Sequence, residues 1–230
     1  LGEQIYEQQN PQPVDLSQLN RQQQRDYLIG LYNLGKRYVE QNPNEYGDII
    51  TRPTDRRENY VKRCVGLPGQ TLQIKNHVVY LDGKPNKEPD NVQYSYYIER
   101  NADIPEELMH ELGISMEDLT SLNQFGYMPL TKHAYDVLKS RKDIVKSIRL
   151  NTDAPVGETY PLTTYTGWTR DNYGPVWIPK RGATVKLTMD NIAIYERPIR
   201  TYEGNDLEVK NGKIFINGKL ATSYTFKLDY

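Results

Sequence analysis

The chain has 230 residues, with 29 Lys and Arg against 30 Asp and Glu, a net charge of −1. That balance supplies no global field for nucleic acid or an anionic membrane surface. The mean hydropathy is −0.77, and apolar runs reach only about five residues, far short of a membrane-spanning helix or a secretory h-region. One cysteine, Cys64, excludes an intrachain disulfide and a cysteine-built zinc cluster. Tyrosine (19) far outnumbers phenylalanine (3), so much of the ring surface needs a partner for its hydroxyl and sits half-buried on thin sheets. The chain begins at Leu1 and reads as a segment of a longer protein.

Residues 1–14 are rich in Gln and Pro and read as a flexible arm. A helix follows, with Asp15 and Gln18 at capping-box spacing, Tyr27, Leu28, Leu31, Leu34 and Tyr38 on one face, and Gln22–Gln24 on the wet side. Asn42-Pro43-Asn44 ends it. Residues 47–52 and 59–65 then read as strands. The second runs into Pro68-Gly69, a pair suited to the centre of a type II turn, since proline sets one φ and glycine supplies the positive one.

A repeat follows. LQIKNHVVYLDGK (72–84) and LEVKNGKIFINGK (207–219) share five identities and six conservative pairs over thirteen positions. Each copy reads as a small β-meander, punctuated by Asn76-His77 and Asp82-Gly83 in the first, and by Asn211-Gly212 and Asn217-Gly218 in the second. Between them, residues 92–152 alternate strand and helix: strand 92–98, helices 104–112 and 116–122, strand 125–130, helix 132–141, strand 144–150. Asp103 and Thr131 suit helix N-caps and Gly113 a C-cap. Residues 160–187 return to strand and loop. Thr188 is expected to cap a short helix that Pro198 kinks or strains. The expected organisation is a flexible arm over 1–14, an N-terminal helix plus β core over 15–91, an α+β insertion over 92–152, and β core with the second meander over 153–230. The fold class is mainly β with an α+β insertion and an N-terminal helix.

The chemistry centres on Asn59–Gln70. On a strand, Tyr60, Lys62 and Cys64 share one face. A lysine held against apolar neighbours has a depressed pKa, because burial disfavours its charged form, and can then act as a general base near neutrality. Most strand lysines instead reach solvent along their stems. Cys64 reads as a small buried filler rather than a nucleophile. His77, His110 and His133 are scattered, with no metal-ligand spacing, and there is no phosphate-cradling glycine loop. Ser115 with Asp118 reads as a helix start.

The run Y-V-K-R-C-V-G-L-P-G over residues 60–69 resembles the lysine box of bacterial type I signal peptidases. GDIITR (47–52), NYGPVWIPKRGA (172–183) and the closing TSYTFKLDY (222–230) are similar to weaker family stretches. The resemblance implies a signal-peptidase-like complex β fold and a serine–lysine hydrolase without cofactor. It makes Lys62 the general base, lets Tyr60 and Val61 line shallow substrate pockets, and gives Arg63, Gly66, Pro68 and Gly69 a supporting role in strand and turn. Gln70 stands where the family carries aspartate. The family's nucleophile box, S-M-x-P, and its final G-D-N box do not occur in these residues, so this stretch alone is expected to be inactive. The implied partners are signal peptides of exported preproteins and a membrane reached through segments outside the chain, with no nucleic acid. The implied location is the extracytoplasmic face of the cytoplasmic membrane. The alternative from the residues alone is a non-catalytic β-rich interaction module.

Overall fold

A computed structural model describes residues 1–10, 12, 14–51, 61–152 and 158–230. They form two compact units: Leu1–Lys84 with Val156–Tyr230, and Pro85–Pro155.

The first unit opens on helix α1 (Gly2–Gln9), within the stretch expected to be a flexible arm. Glycines let it approach α2 (Arg21–Gln41) closely: a Cβ on Gly2 would lie 1.9 Å from the Leu31 carbonyl oxygen, and one on Gly35 2.9 Å from the Gly2 nitrogen. Tyr6 and Tyr27 meet edge to face at 5.4 Å, and this ring contact adds to the burial that holds the helices together. The capping assignment also shifts. Asp15 accepts from the Ser17 amide and caps a single 3₁₀ turn over Leu16–Gln18. The true capping box of α2 is Asn20 with Gln23. Gln24 is buried rather than wet, because its amide donates to the Leu16 and Leu19 carbonyls at 2.9 and 3.0 Å, which satisfies it away from water. A short helix, α3 (Pro43–Tyr46), follows the Asn42 stop.

Residues 47–51 and 61–66 are not strands. A strand is stabilised by the ladder it joins, and neither segment has one among the described residues. The first meander, in contrast, forms as expected: β1 (Thr71–Lys75), β2 (Val78–Leu81) and β3 (Lys84–Pro85). Both residues of each of its tight turns take positive φ: Asn76 (47°) with His77 (71°), and Asp82 (51°) with Gly83 (78°). That is the geometry matching the twist of antiparallel strands.

The second unit is built from β4 (Gln93–Arg100), α4 (Glu106–Leu112), α5 (Met116–Phe125), β5 (Tyr127–Thr131), α6 (Lys132–Ser140) and β6 (Val145–Leu150). Its sheet runs β5-β4-β6, all antiparallel. Ile98, Met128, Leu130 and Val145 point from one sheet face onto Leu108, Leu122 and Leu138 of the helices. Every helix and strand of this unit matches an expected one within a few residues. One cap differs: Pro105 rather than Asp103 stands at the start of α4, without a side-chain hydrogen bond. Gly113 (φ 65°) closes α4 in the left-handed conformation, and Thr131 caps α6 by accepting from the Ala134 amide at 3.1 Å.

The first unit resumes with β7 (Tyr173–Trp177), which pairs with β1 to complete a sheet ordered β3-β2-β1-β7. The register slips between Leu72 and Ile74. Gly174 lies at that slip with φ 82°, where a Cβ would come within 2.8 Å of the Leu72 carbonyl oxygen. β8 (Thr184–Lys186) leads to α7 (Ile192–Arg197). Asn191, not Thr188, precedes α7. Pro198 has no N–H to continue the ladder, and the chain widens into a π-turn over Pro198–Tyr202. The second meander, β9 (Leu207–Lys210), β10 (Lys213–Ile216) and β11 (Lys219–Leu220), repeats the pairings of the first at an offset of 135: Leu72↔Leu81 against Leu207↔Ile216, Lys75↔Val78 against Lys210↔Lys213. Asp82 and Asn217 each accept from the amide eleven residues back, Thr71 at 2.8 Å and Asp206 at 2.9 Å. The meanders belong to different sheets. β12 (Ser223–Thr225) pairs with β8, and Phe226 is buried among Leu187, Ile192, Tyr195, Ile199 and Leu207. Among the described residues the class is mixed α/β: several antiparallel sheets, as a β-rich fold requires, together with more helix than strand.

Candidate active site

The turn of the lysine segment is fixed by hydrogen bonds. Pro68-Gly69 occupies the centre, the Gln70 amide donates to the Leu67 carbonyl at 3.0 Å, and Gly69 has φ 91°. The Gln70 side chain closes the turn from outside by accepting from the Leu67 amide at 2.9 Å. A carboxylate there would accept the same bond, so the glutamine preserves the contact without the charge.

The turn is seated on the end of β7. The Gly69 amide donates to the Ile178 carbonyl and the Ile178 amide to the Gln70 carbonyl, both at 2.8 Å. The Trp177 indole N–H donates to the Gly69 carbonyl at 3.0 Å. Gly66 lies against the Ile178 side chain: a Cβ on it would be 2.5 Å from Cδ1. Three hydrogen bonds and one close approach, with each bond worth about 1 kcal/mol net, fix Gly66–Gln70 in place. The anchoring stretch, Trp177–Lys180, falls in NYGPVWIPKRGA, whose resemblance to the family marks it in the sequence. Its task as the seat of the turn is visible only in three dimensions.

Upstream of the turn the chain is open. Val61 is 94% exposed, and Lys62, Arg63 and Cys64 are exposed as well. Tyr60 lies outside the described residues. The apolar surroundings expected for Lys62 are thus not built by the described residues, because no sheet covers Val61–Gly66. Cys64 is no buried filler either: it is exposed, and its thiol donates to the Gly66 carbonyl at 3.0 Å.

Other candidates resolve into structural roles. Ser115 Oγ accepts from the Asp118 amide at 3.1 Å and pairs with the Asp118 carboxylate at 2.7 Å, a reciprocal capping box that occupies the hydroxyl. His77 Nδ1 lies 2.9 Å from Asp171 Oδ1, and both side chains are nearly buried. This pair ties the first turn of the first meander to the loop before β7. His110 and His133 are exposed. No cluster of metal-ligating side chains occurs among the described residues.

Two polar arrangements, one buried and one half-buried, escaped the sequence reading. Arg25 grips Glu196 through both guanidinium nitrogens at 2.5 and 2.6 Å, joining α2 to α7. Glu203 accepts from the Tyr224 hydroxyl (2.6 Å), the Lys227 and Leu228 amides (2.8 and 3.1 Å) and the Tyr230 hydroxyl (3.2 Å). Burial alone would raise its pKa, but these donors together outweigh it and hold the carboxyl below its ordinary value. Neither had a local signal, since each joins residues far apart in sequence.

The sequence profile of the signal peptidase family, peptidase S26, matches residues 18–136, more than half of the chain. A probable signal peptidase I-1 of Synechocystis sp. is 26% identical over 97 residues, 38% of this chain and 50% of that protein. Signal peptidase IB of Staphylococcus aureus is 27% identical over 111 residues, 46% of this chain and 51% of that protein. Signal peptidase I of Bacillus caldolyticus is 45% identical over 42 residues, 18% of this chain and 23% of that protein. The chain thus spans about half the length, or less, of these curated relatives. No solved structure matches it. With a lysine segment ending in a seated Gly-Leu-Pro-Gly turn and a family profile running through it, the chain belongs to the signal peptidase family, peptidase S26.

Proposed function

We propose that this protein is a membrane-anchored serine endopeptidase that removes signal peptides from exported preproteins, with Lys62 as general base to a serine outside these residues. The observation that carries the reading is the seat of the turn: the backbone following Lys62 is held by Ile178 and Trp177, while Val61–Cys64 stays open. An extended peptide could add alongside such a stretch as a strand, with its small side chains against Tyr60 and Val61. Arg63 and Gly66 support the open stretch that follows Lys62, and Pro68 and Gly69 shape the turn. The serine segment and bound substrate would remove Lys62 from water, and that desolvation favours the neutral amine. The amine then takes the serine proton as the oxygen attacks the scissile carbonyl. The resulting ammonium protonates the leaving amine, and the regenerated amine activates the water that releases the acyl group. No helix among the described residues is long and apolar enough to cross a membrane; on this reading the anchor and the serine belong to sequence outside them, and the site faces the extracytoplasmic side.

The test is cleavage of a preprotein by the full-length protein. Lys62→Ala should lower the rate by at least about 10²-fold, the typical contribution of a general base, while these residues alone should not cleave. Full activity of Lys62→Ala would overturn the reading and leave the non-catalytic interaction module.

A further inference from the structure

A cavity of about 430 Å³ lies in the first unit, away from the lysine turn in sequence and lined by α2, the 160–163 loop and α7 with its π-turn. Leu28, Ile29, Leu162 and Ala193 make its wall apolar. A second cavity, of about 300 Å³, is lined by Trp177, Ile178 and Pro198. The two share Tyr160 and Arg197. Tyr160 is locked in that shared wall by donating its hydroxyl to the Ile194 carbonyl.

The charge at this wall does not balance. Glu196 is the sole carboxylate lining the first cavity among the described residues. Arg25 already grips both of its oxygens, and Arg200 approaches Oε1 at 3.2 Å. Arg197 has no ion pair among the described residues; its guanidinium rests near the Tyr202 ring, 5.8 Å from the centroid. Three guanidinium groups against one carboxylate leave two positive charges beside an apolar space. Water solvates such an excess, but a ligand anion does so with the added gain of burying its tail. Thr163 and Thr201 also line the cavity, and a threonine hydroxyl can supply a neutral donor.

We propose that this cavity binds an amphiphilic anion, a single apolar chain ending in a carboxylate or phosphate, with the head on Arg197 and the chain among Leu28, Ile29 and Leu162. The volume falls in the range of small-ligand sites, which are mainly apolar with a few placed polar groups. The site is independent of Lys62 and of the assignment of peptidase activity.

The experiment is titration of the protein, well below micelle concentrations, with decanoate, decyl phosphate and decanol, read by calorimetry and by tryptophan fluorescence. Saturable binding of one of the anions, at least tenfold weaker for decanol and at least tenfold weaker in Arg197→Ala, is expected. Arg197→Lys keeps the charge and should recover most of the affinity, and Leu162→Trp, at an exposed wall position, should block the space without disturbing the fold. Preference for decanoate identifies a free acid as the source, and preference for decyl phosphate a lipid headgroup. Equal binding of decanol, unchanged binding in Arg197→Ala, or no saturable binding of either anion overturns the proposal.

Discussion

Gly66 and Ile178 are packed so closely that a single methyl group at position 66 would fall 2.5 Å from the Ile178 Cδ1 atom. The obstacle is the far end of a flexible side chain, so the structure can give way at moderate cost. Gly66→Ala should destabilise the protein by about 1–2 kcal/mol, the lower part of the range for overpacking. Ile178→Val removes the colliding atom. The double variant should regain part of the loss, and a double-mutant cycle by chemical denaturation measures the coupling.

Arg25 and Glu196 are both nearly buried, with side chains 7% and 12% exposed. Arg25→Ala strands the carboxylate with only Arg200 beside it and should cost about 3 kcal/mol, the lower end for a broken buried pair. Replacing both residues with apolar ones of similar volume should cost less than Arg25→Ala alone, because no buried charge is then left unpaired and the half-exposed Arg200 is solvated by water. Urea midpoints of the three variants decide this.

Glu203 and Tyr224 set opposite limbs of the stability–pH curve. The Glu203 carboxyl is held below its ordinary value, so its contribution is complete above the unfolded pKa of about 4.3 and is lost as pH falls through the lower folded one. The Tyr224 hydroxyl is pushed up to about 12, by burial first and then by the Glu203 carboxylate. Its contribution is complete below the unfolded pKa of about 10 and is lost as pH rises from there through the folded value. Glu203→Gln should lower the melting temperature at neutral pH and flatten both limbs, as melting temperatures from acid to alkaline pH will report. An unchanged acid limb would remove Glu203 from this role.

Ser115→Ala removes the cap of α5 and should cost about 1 kcal/mol, with cleavage by the full-length protein unaffected at temperatures where the variant is folded. A loss of cleavage without a loss of stability would mean that Ser115 has a chemical role its capping geometry does not reveal.

Much of the fold was legible because its signals are local. Both residues of each meander turn adopt the positive φ that Asn-Gly and Asp-Gly favour, and the repeat at an offset of 135 carries over to the strand register. The second unit follows its alternation of strand and helix because each element buries one face on a shared core. The expectations that failed concern partners. Residues 47–51 and 61–66 have strand-like composition without a ladder, and α1 was hidden because its packing depends on glycines on both helices.

For the site, the same division holds. Sequence alone determined the type and order of the groups: one lysine followed by Gly-Leu-Pro-Gly, a turn whose backbone angles its own residues dictate. Tertiary structure decided where that turn is held, on Ile178 and Trp177 more than a hundred residues away, and that Lys62 stands exposed among the described residues. Turn geometry follows from the steric limits of neighbouring residues, whereas burial and pairing depend on surfaces brought together from distant parts of the chain.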